Sequence, residues 1–131
     1  MSWEEILMED TVSSSLVVLE IARFIDEHKG KNTVVLYLGE RCSFTDYFII
    51  TTVTSEGHLR GLFNNLLAFL EEKHIELFRK KKNLDDLGWQ LLDCGTFVIH
   101  LMTEEKRSFY DLEKLWFESE RVNYSSSSKS S

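Results

Sequence analysis

Residues 88–102, GWQLLDCGTFVIHLM, constrain the fold of this chain more than any other stretch. Aromatic and β-branched residues favour strands, and two such runs meet here across Cys94 and Gly95. Glycine supplies the positive φ that a tight turn needs. Gly88 to Asp93 and Thr96 to Met102 are therefore expected to be antiparallel neighbours. Because side chains alternate across a strand, Trp89, Leu91 and Asp93 share one face of the first strand. On the second, Phe97, Ile99 and Leu101 oppose Val98, His100 and Met102.

The rest of the chain supplies partners for this hairpin. Ser13 to Ser15 are candidate N-caps for a helix carrying Leu16, Leu19, Ile21, Phe24 and Ile25 near helical spacing and ending at Gly30. Thr33 to Leu38 and Thr45 to Thr52 read as two paired strands separated by a short loop. Thr54 and Ser55 precede a second helix marked by Leu59, Leu62, Phe63, Leu66, Leu67 and Leu70, and a weak strand is expected at Ile75 to Arg79. Thr103 can cap a last helix whose first turn holds Glu104 and Glu105, with Phe109, Leu112, Leu115 and Trp116 as its apolar stripe. The order α-β-β-α-(β)-β-β-α predicts an α+β fold, a mixed sheet of four to five strands flanked by helices.

The ends have a different character. Residues 1–12 form an acidic leader with Trp3, Ile6 and Leu7 available for a short amphipathic turn, residues 13–122 form one domain, and the Ser-rich residues 123–131 are expected to be disordered. A single domain of 131 residues with 43% apolar content buries enough surface to need no disulfide or metal staple. Cys42 and Cys94 lack the C-x-x-C spacing of zinc or redox sites. No signal or transit features and no apolar run long enough to cross a bilayer are found, which points to a bacterial cytoplasm and away from membranes. The net charge of −7 disfavours free nucleic acid and favours a basic protein partner.

Catalytic signatures are missing. There is no nucleophile elbow, phosphate loop, dinucleotide fingerprint or H-E-x-x-H pair. His28, His58, His74 and His100 are too scattered to share a metal, so neither a metal nor another cofactor is expected. Asp46 opens a strand, but two residues on stands Phe48 instead of the second carboxylate that two-metal phosphoryl transfer requires. Asp46 is then a loop cap or a charge partner, and Asp93 a turn former. His100 reads as a buried, hydrogen-bonded ring or as a partner contact. The run Arg79 to Lys82 reads as a solvated loop, with phosphate contact as the alternative.

Four motifs in order carry a resemblance. Thr45-Asp46-Tyr47-Phe48-Ile49-Ile50, then Thr54-Ser55-x-x-His58, then Trp89-x-Leu91-Leu92-Asp93-x-Gly95-x-x-Val98-x-His100, and finally Arg107-x-x-Tyr110-x-Leu112-Glu113-x-Leu115-Trp116, closely resemble the ribosomal silencing factor or Iojap-like family. The match runs collinearly from about Leu16 to Glu118. Two places depart from the family's pattern. Lys80 to Lys82, Asn83 and Leu84 stand where an acidic residue and glycine are usual, and Leu36-Tyr37 stands where Leu-Asp is usual.

The resemblance implies a nucleotidyltransferase-like but non-catalytic fold. It implies a translational repressor, not an enzyme, that binds a protein on the intersubunit face of the large ribosomal subunit and blocks the small subunit when nutrients run short. Contact with adjacent ribosomal RNA and self-association into a homodimer are compatible with it. Asp46, Trp89, Asp93, His100, Tyr110 and Glu113 are then expected on the partner face or directly behind it, Trp89 as apolar anchor and the carboxylates facing basic side chains. Tyr47, His58, Gly95, Arg107 and Trp116 are expected to support them, with Arg107 bracing an acidic residue internally. Two alternatives stay open: the same fold binding another basic protein or RNA, and a nucleotidyltransferase enzyme with an acidic pair the sequence does not display.

Overall fold

The computed structural model describes residues 3–77, 83–85, 88–116, 120–122 and 124. The chain runs through α1 (Trp3–Glu27), β1 (Lys31–Tyr37), a 3-10 turn (Gly39–Arg41), β2 (Tyr47–Val53), α2 (Glu56–Glu72), β3 (Asn83–Asp85) and β4 (Trp89–Asp93). It continues through β5 (Phe97–Thr103), α3 (Glu104–Tyr110), α4 (Leu112–Leu115) and β6 (Glu120–Arg121). These strands form one six-stranded sheet in the order β3-β4-β5-β2-β1-β6. The fold is the expected α+β mixed sheet, four longer strands with a short strand at each edge. β2 and β5 run parallel at its centre, and every other pairing is antiparallel.

Local chemistry explains most boundaries. The Ser55 side chain accepts a hydrogen bond from the backbone N–H of His58 at 3.0 Å and so caps α2. Thr103 does the same for α3 through Lys106 N–H at 3.3 Å. Gly95 takes φ of +90° in the β4–β5 turn, where the side chain of Asp93 accepts from its N–H at 2.9 Å. Asp93 is thus the turn former its position suggested.

Three expectations change. α1 begins at Trp3, so Ser13 to Ser15 lie inside a helix and not at its start. Residues 75–77 belong to no strand; the short strand is β3, paired with β4, and Arg79 to Lys82 lie outside the described residues, as does the tail from 125 on. The final helix is broken at Asp111, whose φ of +49° places it in the left-handed region, into α3 and α4. Aspartate tolerates that conformation better than most residues. Here its carboxylate also caps α4, accepting from Lys114 N–H at 3.3 Å.

The sheet has two unlike faces. On one, Val35, Ile49, Val53, Leu92, Phe97, Ile99 and Leu101 pack against Val18, Ile21 and Ile25 of α1 and Leu59, Leu62, Leu66 and Leu70 of α2. Each such fully buried aliphatic side chain contributes about 1.5–3 kcal/mol relative to exposure. On the other face, Leu36, Phe48, Ile50, Val98 and Met102 are covered by Trp89, Leu91, Leu112 and Trp116. Among the described residues, the short α3 and α4 are the helices over this second face, and their brevity shapes the site described next.

Candidate partner-binding face

β4 and β5 set the centre of this face. Their register pairs Trp89 with Met102 and Leu91 with His100, so Trp89 and His100 are diagonal neighbours on the same side of the sheet. The indole Nε1–H of Trp89 donates to Nδ1 of His100 at 3.1 Å. Aromatic rings continue from this pair in both directions. Tyr110 lies on Trp89 with centroids 4.6 Å apart, and Phe109 meets Tyr110 edge-on at 4.9 Å. Phe48 meets His100 at 4.5 Å and Trp116 at 5.9 Å, and Phe44 reaches Phe48 at 6.5 Å.

The outer members of this array face water. Phe109 is 76% exposed, Leu115 71% and Phe44 65%, while Tyr110 is also exposed. Phe109 and Leu115 were expected to line the apolar stripe of one continuous helix. The kink at Asp111 changes the helical phase, so Leu112 and Trp116 turn inward and Phe109 and Leu115 turn out.

A charged clamp fixes the kink. Arg107 donates from Nε and Nη2 to the two carboxylate oxygens of Glu113, at 3.1 and 2.9 Å, and from Nη1 to Oγ1 of Thr52 at 2.9 Å. Such bidentate pairs add directional restraint to their charge attraction. The hydrogen bond from Arg107 holds the Glu113 carboxyl below the usual glutamate range. Arg121 of β6 approaches the same carboxylate at 3.6 Å. Arg107 is thus paired within the chain to Glu113. Glu113 is therefore committed within the chain and is a support of the face, not a free carboxylate on it.

The remaining expected residues divide by location. His100 is buried, 4% exposed, and its ring is pushed down to about 3 by burial, so it stays neutral behind Trp89. Asp46, Tyr47, Asp93 and Gly95 gather at the other end of β5, where Asp46 N–H donates to Thr96 carbonyl at 3.0 Å. Asp93 is four residues from Trp89 along β4, about 13 Å. It cannot share a contact with Trp89, but one interface can span both. Asp46 is exposed. Tyr47 packs toward the α1–α2 side of the sheet.

His58 lies apart. Its Nδ1 accepts from Thr54 N–H at 3.0 Å, and Nε2 donates to the His28 carbonyl at 2.9 Å, tying the start of α2 to the end of α1. Phe44, Phe48, Phe109 and Leu115 were missed as site residues. Their signal was present in the density of aromatics around Asp46 and Tyr110, but that reading requires the α3–α4 break.

Reactive chemistry has few candidates here. Burial, with Asp93 beside it, pushes the Cys94 thiol up to about 12, which keeps it protonated. Among the described residues no three His, Cys, Asp or Glu side chains cluster to hold a metal ion, and no helix is long and apolar enough to cross a membrane.

The fold and this face define a mixed α+β domain with an incompletely covered aromatic surface, bordered by exposed carboxylates of Asp46, Glu104, Glu105 and Asp111. Comparison with known proteins gives the class a name. The model of the family described as "Ribosomal silencing factor during starvation" matches residues 11–131, and the chain belongs to that family. It is 31% identical over 99 residues to the ribosomal silencing factor RsfS of Treponema pallidum, covering 73% of this chain and 86% of the relative. It is 29% identical over 111 residues to the mouse protein "Mitochondrial assembly of ribosomal large subunit protein 1", covering 82% of this chain and 48% of that longer protein. A crystal structure of a Bacillus halodurans protein superimposes with a TM-score of 0.69 at 27% identity, over 84% of this chain and 98% of the other.

Proposed function

We infer that this chain represses translation by binding the large ribosomal subunit, through a basic protein on its intersubunit face, and so blocking the small subunit. It acts by occupancy and not by catalysis. The observation that carries this reading is the α3–α4 face: exposed Phe109, Tyr110 and Leu115 around a half-buried Trp89, with acidic side chains at the margins. Apolar and aromatic anchors surrounded by charge are how protein interfaces are built. Carboxylates at the rim favour a basic partner and speed encounter with it. Support for the large subunit comes from the family and from the mouse relative, which is named for assembly of that subunit. The site of action would be the bacterial cytoplasm, where such subunits are exchanged.

The test mixes separated small and large subunits with increasing amounts of the pure protein and measures the fraction that couples. Coupling should fall as the protein approaches and exceeds the large subunits, and preincubation with the large subunit should strengthen the effect. Undiminished coupling at a large excess would overturn the reading. Retained inhibition by a protein that binds only the small subunit would redirect it.

A further inference from the structure

We propose that His100 is a positioning residue for Trp89: it holds the indole by its nitrogen and fixes the ring plane that the partner meets. The proposal rests on the partner-face reading above and adds a mechanism to it. His100 itself touches no partner, being buried beneath Trp89, Phe48 and the sheet. The bond from Trp89 Nε1–H to His100 Nδ1, at 3.1 Å, requires an unprotonated Nδ1 and therefore places the imidazole proton on Nε2. Burial keeps the ring in that neutral form.

The cost of this arrangement is visible. Nε2 of His100 is buried and has no hydrogen-bond partner among the described residues. An orphaned buried donor is unfavourable, so an aliphatic side chain of similar size would serve packing better. What the imidazole supplies and an aliphatic chain cannot is an acceptor facing the indole. Trp89 is otherwise held by a tilted contact with the exposed Tyr110 of α3 and by packing over the second-face core, non-directional contacts that leave the ring free to turn in its plane. The hydrogen bond removes that freedom. It also uses the only donor of the indole, so Trp89 meets its partner through ring carbons and not through N–H.

The proposal predicts a selective effect of the acceptor. His100→Leu removes it, His100→Asn restores an acceptor near the Nδ1 position, and Trp89→Phe removes the donor while keeping an aromatic ring. With indole-¹⁵N labelled protein, the Trp89 Nε1–H resonance, assigned by its loss in Trp89→Phe, should shift and exchange faster with solvent in His100→Leu and return toward wild type in His100→Asn. Affinity for isolated large subunits should fall about tenfold in His100→Leu, recover to within about threefold in His100→Asn, and show no further loss when His100→Leu is added to Trp89→Phe.

An unchanged Trp89 resonance in folded His100→Leu would overturn the proposal, as would fully additive affinity losses in the double variant. The resonance is read in the free protein. If wild type fails to bind large subunits, the partner-face reading falls, while the spectra still decide whether His100 positions Trp89.

Discussion

The two faces of the sheet solve the same burial problem in different ways. Under α1 and α2, aliphatic side chains are sealed by two long helices, and Leu62, Leu66, Ile49, Ile99 and Leu101 have at most 1% of their surface exposed. Under α3 and α4, the cover is two short helices broken at Asp111, and closure depends on aromatic rings, the Arg107–Glu113 clamp and a buried histidine. The first face is finished by its own chain. The second leaves Phe109, Leu115 and Phe44 in water and is suited to being finished by another molecule. On the proposed reading, stability and binding are concentrated on opposite sides of one sheet, and substitutions should separate them.

The largest effect on stability belongs to the sealed face. Leu62→Ala should cost about 2–5 kcal/mol, because the surrounding helices cannot collapse fully into the cavity. Urea unfolding should show this loss, with large-subunit affinity of the remaining folded protein unchanged. Next comes the clamp. Arg107→Met should cost about 1–2 kcal/mol at neutral pH by removing charged hydrogen bonds from a half-buried, partly solvent-screened carboxylate. Glu113 has a lowered folded-state pKa, so its contribution is present above the ordinary glutamate value and lost as pH falls through the folded one. The gap between wild type and Arg107→Met should accordingly narrow in acid.

A smaller, pH-dependent effect belongs to His100. Its folded pKa of about 3 lies below the ordinary 6.5. Between those values the unfolded chain takes up a proton that the native protein excludes, so stability falls as pH falls. The slope is at most about 1.4 kcal/mol per pH unit for one proton. Unfolding measured at pH 7.5, 6.5 and 5.5 should show this slope setting in below 6.5 and flattening in His100→Leu. The smallest stability effects should come from Phe109→Ser and Leu115→Ser, within about 0.5 kcal/mol of wild type. These same variants should weaken large-subunit binding several-fold, reversing the order seen for Leu62→Ala.

The parts of this molecule governed by neighbours in sequence were the readable ones. The β4–β5 hairpin follows from alternation and Gly95, and the starts of α2 and α3 from Ser55 and Thr103. The start of α1 was misplaced because Ser13 to Ser15 resemble caps, whereas the residues before them include the good helix formers Glu4, Glu5, Leu7, Met8 and Glu9 and the helix continues through. The break at Asp111 was hidden for another reason. It depends on a clamp that reaches from Arg107 to Thr52, 55 residues away in sequence. Periodicity over 103–116 cannot report that contact, and with the break went the outward turn of Phe109 and Leu115.

Site residues followed the same division. Trp89, His100, Tyr110, Arg107, Glu113 and Trp116 are brought together around α3 and α4, while Asp46 and Asp93 stand at the far end of β5 and His58 braces α1 against α2. The diagonal relation of Trp89 and His100 was implicit in the hairpin register. Which ring would be buried and which exposed was set by the short helices above them.

Sedimentation of the folded protein with isolated large subunits tests the central claim most directly, comparing wild type with Trp89→Ala after both show cooperative unfolding. Wild type should travel with the subunits, and Trp89→Ala should stay at the top of the gradient, a loss of at least about 2 kcal/mol in binding. Equal co-sedimentation of the two would contradict the assignment of binding to the aromatic face.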